Sequence, residues 1–285
     1  MTSASESQYK LKEIKSWQDL LSAESEFDGI DQWGFRGQDT PDFPASSLER
    51  HCRSSSIKVD SRDLEVKLIR DFARRYSLYA GYAPPAKGFT LEWLSILRHY
   101  GAPTRLIDFT YSFFMAAFFA LESEKKDPKP VVWAVNLTRL AKAADEHFAQ
   151  LPDAQGLLKH YNEKKDGPPF RNLFMRSTPI PFVYTANPLR LNERLTIQQG
   201  LFLAAGDTNM SFEANLRAVP KQSDCVMQLL INPSFRREAL GKLHRMGINN
   251  ATLFPGLEGF AKSLYTKSLI LQTLPKQDAD MLEEV

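Results

Sequence analysis

The chain has 285 residues, 43% hydrophobic and 25% charged, which supplies a buried core and excludes wholesale disorder. Lys and Arg number 36 against 34 Asp and Glu, a net charge of +2, so no global basic field marks nucleic acid as the main partner. Two cysteines, Cys52 and Cys225, exclude a disulfide scaffold and fit a reducing, cytoplasmic setting.

Residues 1–10 are polar, have no apolar secretory core and read as a loose leader. Ser16 caps a helix that starts at Trp17, with Leu20 and Leu21 inward. Trp33-Gly34-Phe35-Arg36-Gly37 reads as a short strand. Leu64, Leu68, Ile69, Phe72 and Tyr76 fall on one face of a helix over 63–79, which Pro84-Pro85 breaks. Thr90 caps a helix over 91–100, stopped by Gly101 and Pro103. Residues 104–108 are extended. An apolar run over 109–121 is too short to cross a bilayer and reads as a buried helix, so no membrane is expected.

The second half turns toward strands. Val131-Val132-Trp133-Ala134-Val135 is a β-branched and aromatic strand, and 137–150 is helical. Residues 151–179 are polar and proline-bearing, and predict an irregular loop or insertion. Strands are expected at 182–184, 200–206 and 225–231, with a short helix or turn at 191–199. Asn232 caps the next helix with Pro233 at its first position; Leu240, Leu243 and Met246 face inward and Gly247 ends it. Leu257, Phe260, Ala261 and Leu264 mark a last helix, and 277–285 read as a frayed acidic tail. Helices early and strands late predict an α+β protein: a helical N-terminal half packed on a mixed or antiparallel sheet.

Standard phosphate loops and the nucleophile elbow are absent. The five histidines have no metal-ligand spacing, so no metal is expected. Four polar segments remain. Arg36 sits among aromatics, where burial demands an anion: an internal aspartate, or a ligand's phosphate or carboxylate gripped by its planar fork. The glycines beside it leave room for a ligand to approach the backbone. His99-Tyr100-Gly101-Ala102-Pro103-Thr104-Arg105-Leu106-Ile107-Asp108-Phe109-Thr110 joins two apolar helices. Either Asp108 or Thr110 caps the second helix with Arg105 paired to Asp108, or the turn delivers His99, Arg105 and Asp108 to one pocket. Arg194 and Gln198 share a helix face, and Gln199-Gly200 precedes a strand. Glu258 opens a helix, where the dipole favours a carboxylate. Arg70, Arg74, Arg75, Arg236 and Arg237 are basic clusters that face either phosphate backbones or water.

These segments resemble the FRG domain family. Phe35-Arg36-Gly37 matches its naming triplet, and residues 99–110 match its His-Tyr-Gly-x-x-Thr-Arg-Leu-x-Asp-x-Thr block, followed by the Ala- and Phe-rich helix at 116–120. Residues 194–202 and 253–259 resemble its later segments. The resemblance implies a leader and helix at 1–28, an FRG domain over 29–265 and a tail at 266–285. A more distant similarity is to ADP-ribosyltransferases, where an early aromatic-Arg-Gly strand holds the phosphates of NAD. That similarity implies an ADP-ribosyltransferase-like fold and places Arg36, His99, Arg105, Asp108 and Gln199 in catalysis. It further implies that Arg36, Gly37, Tyr100, Thr104, Thr110 and Arg194 bind NAD as substrate. The family's usual glutamate is missing at Gln198-Gln199-Gly200, so Asp108 or Glu258 would take its place. The expected function is NAD-dependent ADP-ribosyl transfer or NAD hydrolysis, suited to a bacterial toxin or phage-defence factor acting on a protein or nucleic-acid target. The alternative is a non-catalytic module whose arginines bind a nucleotide, a nucleic acid or another anion.

Overall fold

The Trp-Gly-Phe-Arg-Gly-Gln run is the middle strand of a seven-stranded sheet. The computed structural model describes residues 9–55, 59–123, 125, 127–164, 166–190 and 192–271; the leader up to residue 8 and the tail at 277–285 lie outside them. The elements follow in chain order as β1 (Lys10–Ile14), α1 (Trp17–Glu24), β2 (Trp33–Gln38), α2 (Ser47–Ser54), α3 (Ser61–Tyr79), α4 (Thr90–His99) and β3 (Leu106–Thr110). Then come α5 (Phe113–Leu121), β4 (Val131–Asn136), α6 (Leu137–Ala149), α7 (Leu157–Lys164), α8 (Pro168–Phe174), β5 (Val183–Thr185), α9 (Glu193–Ile197) and β6 (Gly200–Ala205). The chain continues through α10 (Phe212–Arg217), β7 (Val226–Ile231), α11 (Arg236–Arg245), α12 (Asn250–Leu253) and α13 (Leu257–Leu271).

The strand order is β1-β7-β4-β2-β3-β6-β5. β1 runs parallel to β7 and every other neighbouring pair is antiparallel, so the protein is α+β with a mixed sheet. Each face of the sheet carries its own core. β4 shows why its sequence is continuously apolar: Val131, Trp133 and Val135 enter one core while Val132 and Ala134 enter the other. The first core holds α4, α6, α7 and α8; the second holds α1, α5 and α11. Burying a side chain such as Phe118 or Phe170 stabilises the fold by roughly 1.5–3 kcal/mol.

The way α5 sits on β2 depends on glycine. A Cβ on Gly37 would lie 1.8 Å from the Ala116 carbonyl oxygen and 2.6 Å from the Ala120 nitrogen. The alanines of α5 complete the close approach. Gly37 therefore serves packing, not the approach of a ligand expected from sequence.

The sheet is uneven around β2. Against β4 it pairs from Trp33↔Asn136 to Gln38↔Val131; against β3 it pairs only at Phe35↔Thr110. The ladder between β2 and β3 thus stops before Arg36.

Several local expectations are corrected. α4 is not capped by Thr90, which lies inside it; the Asp166 carboxylate accepts the Leu91 and Glu92 N–H groups, each at 3.0 Å. α5 is capped by Ser112, because Asp108 and Thr110 remain within β3. Residues 151–179 hold α7 and α8, whose Tyr161, Phe170 and Phe174 rings pack together in the core. Met246 is exposed just past α11. β1 begins inside the expected leader, and Tyr9 before it is buried against Phe43 and Trp133.

Candidate functional site

Where the β2–β3 ladder ends, Arg36 takes over. Its Nη1 donates to the Asp108 carbonyl at 2.8 Å, and its Nε donates weakly to Gln38 Oε1 at 3.4 Å. A backbone acceptor that would otherwise lose its strand partner is thus satisfied by a side chain. Among the described residues no carboxylate forms an ion pair with Arg36. The first branch of the sequence reading, a direct strut to an internal aspartate, is replaced by a bond to that aspartate's backbone.

The Asp108 carboxylate belongs to Arg98. α4 ends at His99, two residues before Gly101, whose φ of +81° suits glycine, and this turn sets Arg98 in the last helical turn beside β3. Arg98 Nε donates to Asp108 Oδ2 at 2.8 Å, and Arg98 Nη2 pairs with the same oxygen. No donor among the described residues reaches Oδ1, and the Asp108 side chain is 42% exposed.

Three further guanidinia share this carboxylate's field. Burial pushes Arg36 down to about 10, with Asp108 opposing and Arg98 and Arg50 adding to the fall. Burial likewise lowers Arg50, and Arg98 lowers it further. Arg194 keeps an exposed flank, yet desolvation on its inner side lowers it against the pull of Asp108. For Asp108, burial acts to raise the carboxyl, but Arg98, Arg36 and Arg194 outweigh it and hold it below the ordinary carboxylate range. Four arginines thus surround one ionised carboxylate. The nearby Glu49 and Glu258 are already matched by Arg53 and Lys262. This excess of positive charge is the electrostatic signature of an anion site.

A depression opens over the cluster. A compartment of about 200 Å³ is lined by Arg98, His99, Asp108, Arg194 and Gln198. A larger one of about 650 Å³ shares Ser95, His99, Asn192 and Arg194 with it, and extends past Tyr76, Tyr82, Tyr100 and Phe254. Arg194 lies over the Phe254 ring at 4.4 Å, a cation–π contact that fixes its head at the rim. Gln198 Nε2 donates to the Leu253 carbonyl at 3.0 Å and so ties α9 to α12. His99 faces the Tyr100 ring edge-on, and burial together with Arg194 lowers its pKa.

Segments 99–110, 192–202 and 253–259 therefore converge on this depression, with Arg36 beneath it. Not every expected residue follows. Arg105 is sealed on the far side: Nη2 and Nε lie 2.6 and 2.7 Å from Glu65 Oε2, and its backbone N–H donates to Glu65 Oε1 at 2.7 Å. Both side chains are fully buried, and Arg105 Nη1 also donates to the Phe174 and Ala205 carbonyls. Thr104 is fully buried, with its N–H on Ser47 Oγ. Thr110 donates to the Gln198 carbonyl at 2.7 Å and accepts from the Ser112 N–H, a tie between β3 and the α9 turn. Gln199 is exposed at φ +46°, a left-handed residue ending α9; that turn sends Gln198, not Gln199, to the pocket wall. Arg50, Arg98, Glu92 and Ser95 were not foreseen. The readable hint was polar residues at 92, 95 and 99, one face of an otherwise apolar helix.

An α+β scaffold with an arginine-rimmed, aromatic-walled pocket is the class this geometry defines. The family model of the FRG domain matches residues 31–129. No curated protein and no solved structure matches the chain. The matched span supplies Arg36, Arg50, Arg98 and Asp108, while Arg194, Gln198 and Phe254 come from beyond it. Among the described residues no helix is long and apolar enough to cross a membrane.

Proposed function

We propose that the depression between α4, α9 and the α12–α13 turn binds a nucleotide, with NAD as the candidate substrate. The observation that carries this reading is Arg98, Asp108 and Arg194 together lining a compartment of about 200 Å³, in the field of Arg36 and Arg50, with Arg194 shared by an adjoining cavity of about 650 Å³. That volume suits a small-molecule site. Arg194 and Arg98 would take the phosphates through charge-assisted bonds, with Arg36 and Arg50 supporting the field from below. The free Oδ1 of Asp108 would accept a ribose hydroxyl. Tyr82 and Tyr100 are large exposed rings on the cavity wall and would stack on a base or on nicotinamide.

Turnover is the finer reading. Asp108 stays ionised beside the pocket and would stabilise an oxocarbenium ion at the ribose carbon as the bond to nicotinamide breaks. Water, or a nucleophile on a protein or nucleic-acid target, would then add to that carbon with loss of a proton. Such an activity would suit a bacterial toxin or phage-defence factor. Nucleic acid as the pocket's ligand has less support. Arg236 of the basic clusters donates to the Leu121 and Ser123 carbonyls at the end of α5, and Arg75 pairs with Asp71.

Calorimetric titration with NAD, ADP-ribose and inorganic pyrophosphate tests the binding. All three are expected to bind wild type and to lose at least tenfold affinity in Arg194→Ala. Chromatography for released nicotinamide, comparing wild type with Asp108→Asn, tests turnover. Absence of binding by all three ligands to a folded protein rejects the anion site; binding without nicotinamide release leaves the non-catalytic module.

A further inference from the structure

The walls of the larger compartment differ in charge from the arginine cluster. α4 presents Glu92, Ser95, Ile96 and His99 to the depression, a stripe at helical spacing whose ends are chemically opposite. His99 stands at the arginine end and also lines the smaller compartment. Glu92 lies about two turns away, in the field of Arg190 from the same lining.

Glu92 is an unusual residue to find there. Only 6% of it is exposed, and no donor among the described residues bonds to its carboxylate. Its backbone N–H is held by Asp166, which leaves the side chain to the cavity. Ser95, one turn on, is 3% exposed and its hydroxyl has no partner among the described residues. Both side chains line the compartment, so a ligand's polar groups can take up the carboxylate and the hydroxyl that no described protein group satisfies. Burial raises the Glu92 carboxyl, against the pull of Arg190 and with some help from Asp166.

We propose that Glu92 and Ser95 form a second subsite that reads an amide-type edge, an N–H donor beside a carbonyl or ring-nitrogen acceptor. The carboxylate accepts from the N–H and the serine hydroxyl donates to the neighbouring acceptor. Glu92 offsets the charge of Arg190 at this end, whereas the cluster around Asp108 keeps a surplus of arginines that draws a phosphate, so the pocket orients its ligand. The nicotinamide carboxamide and a purine base both offer such an edge. This inference rests on the nucleotide reading for the ligand's other half, but the subsite is separable from it.

The test uses uncharged probes. Nicotinamide, adenosine and guanosine are titrated in turn into wild type, Glu92→Gln and Ser95→Ala, with inorganic pyrophosphate as the control. Glu92→Gln keeps shape and one acceptor, so folding is preserved. At least one uncharged probe is expected to bind wild type, to lose about tenfold or more in Glu92→Gln and severalfold in Ser95→Ala, with pyrophosphate unchanged. The probe that responds identifies the source of the edge. Failure of all three to bind, equal binding by Glu92→Gln, or a parallel fall in pyrophosphate overturns the subsite. Pyrophosphate that fails to bind while an uncharged probe responds to Glu92→Gln rejects the arginine site and leaves this one standing.

Discussion

Arg105 and Arg98 stand seven residues apart, each gripped by a carboxylate, and they serve opposite ends. Arg105 and Glu65 are sealed between α3 and β3; the two charges match, carbonyls take up Nη1, and Nη2 is held by the ion pair alone, out of a ligand's reach. Arg98 and Asp108 lie at the floor of a depression, with three more arginines in range and one carboxylate oxygen free. The first arrangement is a strut, because nothing is left for a ligand to complete. The second has surplus positive charge and access to solvent, so a visiting anion improves it. Satisfaction and access, not the mere burial of an arginine, separate structure from recognition.

The sharpest contrast comes from removing each carboxylate. Glu65→Ala leaves Arg105 buried and unpaired and is expected to destabilise the protein by about 3–5 kcal/mol in urea unfolding. Gly37→Ala drives a Cβ into the α5 backbone and is expected to lose about 1–3 kcal/mol, with the pocket residues otherwise untouched. Asp108→Asn, at a partly exposed ion pair, should lose only about 1 kcal/mol and should strengthen pyrophosphate binding, since it removes the negative charge. A loss as large as that of Glu65→Ala would erase the distinction between the two regions.

Acid gives the smallest effect and distinguishes two carboxyls of the site. Asp108 is held low, so its contribution is complete above its unfolded value near 4 and fades as pH falls through the lower folded value. Glu92 is raised, so its ionised form opposes folding: stability linked to it is present below its unfolded value, near 4.3, and is lost as pH rises through the folded one. Glu92→Gln is therefore expected to unfold at higher urea than wild type at pH 7, with the gap closing near pH 4. Equal midpoints at both pH values would place Glu92 in an ordinary solvated setting.

Much of the fold was legible because it follows local rules. The β4 run and the Ser16 cap form as their residues dictate, while Asn232 and Pro233 open a 3-10 turn over Pro233–Phe235 that leads into α11 at Arg236. The region 151–179 was not, because α7 is largely polar and α8 opens on Pro168-Pro169, and both become helical through rings packed in the core. At the site, the segments 99–110, 194–202 and 253–259 were visible, but not their partners. The sequence offers Arg105 either as the partner of Asp108 or as its neighbour in one pocket; strand alternation instead sends Arg105 to Glu65, and the α4 turn delivers Arg98. Arg50 lies on α2, remote in sequence, and nothing local announces it.

The most direct test is a crystal structure of the full chain soaked with ADP-ribose. Phosphate density within hydrogen-bonding distance of Arg98 and Arg194, above the Asp108 carboxylate, is the predicted result. A folded crystal whose depression stays empty at saturating ligand, or one that binds it on another face with the arginines unmoved, would contradict the account.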